Sequence, residues 1–122
     1  MRMLTGWWGV VLDAPDSREL ARFYSALLGW ELINDGEAVH PGEGTSYIAF
    51  QTSPDYEPPT WPNASGEQQM MLHVDVGVTG LEEEVARAVA LGATLAGFQP
   101  QDDVRVMLDP AGHPFCLYLD AE

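Results

Sequence analysis

One helix pattern occurs twice in this chain of 122 residues, and its two copies lie 63 residues apart. The first copy runs from a capping residue, Asp16, to a terminal glycine, Gly29, and the second runs from Thr79 to Gly92. In each copy a glutamate stands three residues after the capping residue, as in a capping box, and apolar residues recur at helical spacing between the two ends. A repeat of this length predicts two copies of one supersecondary unit, each with an amphipathic helix.

Alternating apolar residues around each predicted helix indicate strands, with one strand before the helix and three after it. The predicted order is therefore βαβββ, twice, which places the chain in the α+β class. The predicted modules span about residues 6–52 and 69–120, and a proline-rich connection of about residues 53–68 joins them. The predicted strands are residues 7–12, 31–34, 37–40, 46–51, 70–76, 94–97, 104–108 and 115–119.

The charge balance excludes several classes of partner and reaction. Five arginines and no lysine face nineteen carboxylates, which gives a formal charge of -14. Nucleic acids and anionic membranes require a clustered basic surface, so neither is expected as a partner. The absence of lysine also excludes Schiff-base chemistry. A single cysteine, Cys116, excludes an internal disulfide, and no run of about 18 apolar residues predicts a membrane span. We therefore expect a soluble cytoplasmic protein.

The predicted strands have two different faces, because successive side chains point to opposite sides of a sheet. One face is apolar and is expected to pack beneath the helices; it comprises Trp8, Val10, Leu12, Ile48, Phe50, Leu72, Val74, Val76, Phe115, Leu117 and Leu119. The other face is mixed and comprises Trp7, Gly9, Val11, Tyr47, Ala49, Gln51, Met71, His73, Asp75, Cys116 and Tyr118, with Arg105 and Met107 assigned to it as well. The mixed face predicts a cleft for a small molecule, and a solvated sheet face is the alternative.

Four segments, taken together and in order, resemble signatures of the vicinal oxygen chelate superfamily, which includes glyoxalase I, bleomycin-resistance proteins and extradiol dioxygenases. The segments are Asp16–Trp30, Leu72–Val76, Ala90–Ala93 and Asp109–Phe115, and they look closest to the glyoxalase-like domain branch. The resemblance implies that residues 1–122 form one domain, in which the two modules make a cupped mixed sheet with the helices on its outer face. It also implies a homodimer.

In that superfamily the cleft often holds a divalent metal, and the resemblance places the ligands at Gly9, Gln51, His73 and Cys116. Gly9 has no side chain, and an amide, an imidazole and a thiol are not one of the usual catalytic donor sets. We therefore expect no metal and no other cofactor. If a divalent metal binds, its candidate ligands are Gln51, His73 and Cys116.

Pattern and resemblance together favour a small-molecule-binding, glyoxalase-like protein without a complete metal site, which sequesters an aromatic or cationic compound. Trp61, or Tyr56 in the same connection, either covers that ligand or packs on the rim or on a second subunit. The candidate ligand-binding residues are Trp7, Gly9, Tyr47, Gln51, Trp61, Met71, His73, Cys116 and Tyr118.

Whether the chain is an enzyme stays open at this point. The alternative function is that of a lyase, isomerase or dioxygenase-type enzyme in which His73 is the catalytic base or a metal ligand. Asp75 would then orient His73, and Cys116 would be a nucleophile if His73 lay within hydrogen-bond reach. The competing interpretations are that His73 and Cys116 are packed structural groups, or that the chain is an interaction module whose cleft its own side chains fill.

The other two histidines are expected to be exposed and to have no catalytic role. His40 precedes a proline in a glycine-rich loop, and His113 follows a type I turn that is predicted at Asp109–Gly112. A second turn, of the hairpin type, is predicted at Asp35 and Gly36.

Overall fold

The two halves of the chain fold in the order that the repeat predicts. The computed structural model describes residues 3–120, which form two compact units, one extending to Tyr56 and the other starting at Glu57. The first unit contains β1 (Trp8–Ala14), α1 (Ser17–Leu28), β2 (Glu31–Ile33), β3 (Ala38–His40) and β4 (Ser46–Thr52). The second contains β5 (Val74–Val78), α2 (Leu81–Leu91), β6 (Thr94–Leu95), β7 (Val104–Leu108) and β8 (Pro114–Leu119). The α+β class with two βαβββ modules is confirmed, and the single domain over residues 1–122 stays a prediction.

Each unit has its own four-stranded mixed sheet. The strand order is β1-β4-β3-β2 in the first unit and β5-β8-β7-β6 in the second. In both sheets the strand before the helix pairs in parallel with the last strand of the unit, and the other neighbours are antiparallel. Each helix packs on one face of its own sheet, and we call the opposite face of that sheet its open face. Within residues 3–120, neither helix is long and apolar enough to cross a membrane.

Helix α1 has the ends that the sequence predicts. The Asp16 carboxylate accepts hydrogen bonds from the backbone N–H groups of Arg18 and Glu19 at 3.1 and 3.3 Å, which satisfies two donors at the helix start. Gly29 has a left-handed φ of 72°, and its N–H donates to the Ser25 carbonyl. The buried residues of the helix are Ser17, Leu20, Ala21, Phe23, Tyr24 and Leu27.

Helix α2 begins differently from the prediction. Gly80 occupies the N-cap position and has no side chain to accept a hydrogen bond, so the capping box predicted at Thr79 is wrong. Three glutamates, Glu82 to Glu84, fill the first turn instead, where negative charge interacts favourably with the helix dipole. The predicted end at Gly92 is confirmed.

The predicted apolar face is confirmed at the strand centres. Leu12, Ile48 and Phe50 are buried in the first unit, and Phe115 and Leu117 are buried in the second. These residues form the sheet side of each core, against which the apolar side of the helix packs.

Three residues assigned to the apolar face are exposed because they lie at or beyond a strand end. Trp8 begins β1 and is 65% exposed, and Leu119 ends β8 and is 44% exposed. Leu72 is 58% exposed because β5 begins at Val74, and the strand predicted from residue 70 is wrong over its first part. The other strand limits differ from the predicted ones by at most two residues.

The backbone register of β7 corrects the assignment of Arg105 and Met107 to the mixed face. Met107 lies opposite Phe115 and is fully buried on the helix side of the sheet, not on the mixed face. Arg105, two residues earlier, lies on the same side and donates hydrogen bonds to two backbone carbonyls. Val106, opposite Cys116, lies on the open face instead.

Gly9 marks a close approach between β1 and β4. Its register partner is Tyr47, and a Cβ atom at Gly9 would lie 2.6 Å from two Tyr47 ring carbons and from the Tyr47 carbonyl oxygen. We expect Gly9→Ala to lower the free energy of unfolding by about 1–3 kcal/mol, because the added methyl overpacks this contact. Denaturant titration measures the difference.

Gly97→Ala is the matched control for that variant. A Cβ atom at Gly97 would have nothing within 4 Å, so the free energy of unfolding should change by less than about 1 kcal/mol. Equal stability of the two variants would show that Tyr47 does not constrain position 9.

Candidate functional site

Three side chains with chemically active atoms meet on the open face of the second unit. Asp75 on β5 is the register partner of Cys116 on β8, so their side chains project on the same side of the sheet. His73 lies two residues before Asp75, just outside the strand, and its Nε2 atom is 3.1 Å from Asp75 Oδ1. One ligating atom from each of the three residues lies within 4.8 Å of the other two. We call His73, Asp75 and Cys116 the polar cluster.

The Cys116 thiol is protonated near neutral pH. Its pKa is raised from 9.0 to about 11, mainly by burial and also by the negative charge of Asp75 and a hydrogen bond with Asp75. A thiol in this environment is a weak nucleophile, because the thiolate is the reactive form. The raised pKa therefore disfavours the role of nucleophile that the sequence suggested for Cys116.

His73 and Asp75 form a dyad at the edge of solvent. The side chains are 36% and 58% exposed, and the contact through Nε2 leaves Nδ1 as the nitrogen that could take up a proton. A carboxylate bound to one ring nitrogen fixes the orientation of an imidazole, which is the role proposed for Asp75 from the sequence. The arrangement can hold a proton, donate a hydrogen bond or ligate a metal ion.

Tyr118 provides an aromatic surface beside the polar cluster. It lies two residues after Cys116 on β8, and its register partner on β5 is Gly77. A Cβ atom at Gly77 would lie 3.0 Å from Tyr118 Cζ and Oη, so the ring lies across the β5 backbone where the glycine leaves room. Because the residue is 40% exposed, part of the ring remains accessible.

The first unit carries four of the predicted ligand-binding residues. The Tyr47 ring lies against Gly9 in the same manner as the Tyr118 ring lies against Gly77. Gln51 donates a hydrogen bond from Nε2 to Asp13 Oδ1 at 3.3 Å. Trp7 lies outside β1, and its ring is tilted over the His40 ring at a centroid distance of 5.4 Å.

Trp61 and Met71, predicted as ligand-binding residues of the second unit, are not in the polar cluster. Trp61 donates a hydrogen bond from Nε1 to the Phe98 carbonyl at 3.1 Å, and the two rings pack at 6.0 Å. These contacts attach the connection to the segment that follows β6. Met71 lies before β5 with 88% of its surface exposed.

The prediction that His40 is exposed is wrong. The residue is 9% exposed and holds its own glycine-rich loop: Gly42 N–H donates to Nδ1 at 3.0 Å, and Nε2 lies 2.9 Å from the Gly44 carbonyl. With Nδ1 as the acceptor, Nε2 is the nitrogen that donates to the Gly44 carbonyl. The role of His40 is structural.

His113 is also largely buried, with only 16% of its side chain exposed, which again corrects the prediction. Its Nδ1 lies 2.8 Å from Oδ2 of the buried residue Asp109. A turn at the predicted residues, Asp109–Gly112, is confirmed by the hydrogen bond from Gly112 N–H to the Asp109 carbonyl at 2.8 Å. The sequence signal for this pair is an aspartate that begins an Asp-Pro turn, with a histidine four residues later.

Comparison with solved structures finds the same fold in proteins of low sequence identity. An antibiotic binding protein, TnmS3 from Streptomyces sp. CB03234, has a TM-score of 0.59 at 14% identity, with 98% of each chain covered. Fosfomycin resistance protein FosX from Mesorhizobium loti has a TM-score of 0.63 at 13% identity, with 97% of this chain and 94% of that chain covered.

A further structure, a glyoxalase/bleomycin resistance protein/dioxygenase family enzyme from Burkholderia phytofirmans PsJN, has a TM-score of 0.65 at 21% identity, with 91% of this chain and 95% of that chain covered. No curated protein sequence matches the chain. The family profile described as a glyoxalase-like domain matches residues 9–118. Since that segment includes both βαβββ modules, the protein belongs to the glyoxalase-like domain family of the vicinal oxygen chelate superfamily.

Proposed function

We propose that this protein binds a small, partly aromatic organic molecule. The observation that carries the proposal is the position of a partly exposed tyrosine ring, Tyr118, beside the polar cluster on one sheet face. Small-molecule sites combine a mostly apolar surface with a few polar groups that fix orientation, and this face has both parts. A solved structure with the same fold is that of an antibiotic binding protein, which supports the proposal at the level of the fold.

The chemistry of the polar cluster defines the ligand further. A neutral thiol, a carboxylate and an imidazole can accept hydrogen bonds as well as donate them, so the ligand needs complementary polar groups at one end. The net charge of -14 attracts cations at long range, which favours a basic compound over an acidic one. The proposed binding residues of the first unit add two aromatic side chains, Trp7 and Tyr47, with Gly9 and the Gln51 amide beside them.

The test is ligand binding by EDTA-treated protein, measured by the shift of the unfolding midpoint and by tryptophan fluorescence. Ligands are compared in pairs that differ only in a basic group, and the basic member is expected to bind more tightly. Tyr118→Leu should weaken binding about 3- to 10-fold because it removes the stacking surface, whereas Tyr118→Phe should retain binding.

Val89→Ala is the control, since Val89 is an exposed apolar residue of α2, the helix that packs on the face of the sheet opposite the polar cluster. Its affinity should equal that of the unaltered chain. Unchanged affinity in Tyr118→Leu, or the absence of a midpoint shift with every ligand in the panel, would contradict the proposal.

The second candidate function is catalysis with His73 as the base, and the 3.1 Å contact between His73 and Asp75 favours it. A lyase or isomerase of this kind would turn over hemithioacetals, catechols or epoxides. His73→Gln should then abolish turnover while ligand binding persists. Rates that equal the uncatalysed background, with and without added metals, would exclude this candidate.

The same proposal includes a homodimer in the cytoplasm. The long strand β1 lies at one edge of its sheet, and edge strands present unpaired backbone groups to a partner. Light scattering coupled to size-exclusion chromatography distinguishes the dimer mass from that of the 13.4 kDa chain.

A further inference from the structure

The ligand positions that the family resemblance assigns to a metal do not fit this chain as a set. Gly9 has no side-chain donor, and Gln51 offers only a neutral amide oxygen, which is a weak ligand for a thiophilic ion. His73 and Cys116 remain, and Asp75, which the resemblance does not assign, lies between them in the second unit. The available donors are therefore an imidazole, a carboxylate and a thiol from one module.

We propose that His73, Asp75 and Cys116 form a three-donor site for a thiophilic divalent cation of the Zn²⁺ type, built within the second unit alone. This inference requires neither Tyr118 nor an organic ligand, although its three donors are the same polar groups that the proposed function assigns to one end of the ligand.

The distances are compatible with one bound ion. Bonds of about 2.0–2.3 Å from zinc to nitrogen, oxygen and sulfur place tetrahedral ligands about 3.3–3.8 Å apart. The three donor atoms already lie within 4.8 Å of one another, and His73 and Asp75 are exposed enough to rotate. The pairing of β5 with β8 holds the backbones of Asp75 and Cys116 next to each other, so these two donors start from fixed positions.

The donor set also selects the ion. A thiolate with an imidazole favours Zn²⁺ and Co²⁺ over Mg²⁺, Ca²⁺ and Mn²⁺, which prefer oxygen ligands. On binding, the Cys116 thiol releases its proton to solvent, and Sγ takes one coordination position. Three protein ligands leave a fourth tetrahedral position for water or another small ligand.

The experiment is a Co²⁺ titration of tag-free, EDTA-treated protein, followed by Zn²⁺ competition. The site predicts one Co²⁺ per chain, with the near-ultraviolet charge-transfer band that a cobalt–thiolate bond produces. Cys116→Ser should lose that band, and addition of Zn²⁺ should abolish it in the unaltered chain. Absence of the band at stoichiometric Co²⁺, or its persistence in Cys116→Ser, would overturn the proposal.

The remaining donors are identified by measuring Zn²⁺ affinity in two donor variants and two control variants. Circular dichroism verifies that each variant is folded. His73→Ala and Asp75→Asn should each lower the affinity at least about tenfold. Gln51→Ala, at a position that the family resemblance assigns, and Asp103→Asn, an exposed carboxylate of the second unit, should leave it unchanged. A loss in Gln51→Ala as large as that in Asp75→Asn would show that the site is not confined to the second unit.

Discussion

Cys116 is expected to react with iodoacetamide at pH 8 about 100-fold more slowly than an ordinary cysteine, because its pKa is raised from 9.0 to about 11. Each pKa unit lowers the thiolate fraction about tenfold at a pH below both values. The chain has one cysteine, so intact-protein mass spectrometry of EDTA-treated protein follows the reaction at this residue alone.

The reaction rate should rise about tenfold per pH unit up to pH 11, rather than level off near pH 9 as for an unperturbed thiol. Asp75→Asn should accelerate the reaction at pH 8, because it removes the negative charge that disfavours the thiolate. The acceleration should be partial, since burial is the larger cause and remains. A rate at pH 8 equal to that of a cysteine-containing peptide would contradict the raised pKa.

The same shift gives the sign of a stability effect. Between pH 9 and pH 11 the unfolded chain loses the thiol proton while the folded chain keeps it, so the unfolded state binds fewer protons. The contribution of Cys116 to the free energy of unfolding is therefore complete below pH 9 and is lost as the pH rises through 11.

The repeat and the caps could be predicted because they depend on local chemistry. Asp16 and Gly29 satisfy backbone groups within a few residues of themselves, so the sequence alone contains the whole interaction. The cap predicted at Thr79 is wrong because the next residue, Gly80, adopts the extended backbone of an N-cap. Local sequence patterns do not decide between two adjacent cap candidates. The helix start then depends on packing as well as on the cap.

The polar cluster could be predicted only in part, because it depends on register. His73, Asp75 and Cys116 were all assigned to one face by their alternation, but the pairing of Asp75 with Cys116 is a contact across 41 residues of sequence. The resemblance pointed to Gln51 as a metal ligand and did not include Asp75. A contact of this range is visible only when the parallel pair of β5 and β8 is known.

The burial of His40 and His113 could not be predicted from the composition of the surrounding sequence. His40 and His113 lie in polar, glycine-rich or proline-rich surroundings that are typical of exposed loops. Each imidazole is instead mostly buried and stabilises its loop through hydrogen bonds to backbone or carboxylate groups. Sequence composition describes the loop but does not reveal which side chain closes it.

Asp109→Ala is expected to lower the free energy of unfolding by about 3–5 kcal/mol. The Asp109 carboxylate is buried, accepts hydrogen bonds from the N–H groups of Ala111 and His113 at 2.9 and 3.0 Å, and lies 2.8 Å from His113 Nδ1. The alanine variant removes an acceptor that all of these donors share, in a place that water does not reach. Denaturant titration measures the loss, with the slope of the unfolding free energy against denaturant concentration equal in the variant and the unaltered chain.

Two further variants separate the carboxylate from the turn itself. Asp109→Asn keeps one acceptor oxygen for the backbone and should lose less stability than Asp109→Ala, while Asp103→Ala, an exposed position, should change the free energy of unfolding by no more than about 0.5 kcal/mol. The turn leads directly into Pro114, where β8 begins, so its loosening should also displace Cys116 and reduce Co²⁺ binding in Asp109→Ala. If Asp109→Ala were as stable as Asp103→Ala, the hydrogen bond from Gly112 to the Asp109 carbonyl would suffice to hold the turn, and the buried carboxylate would be dispensable.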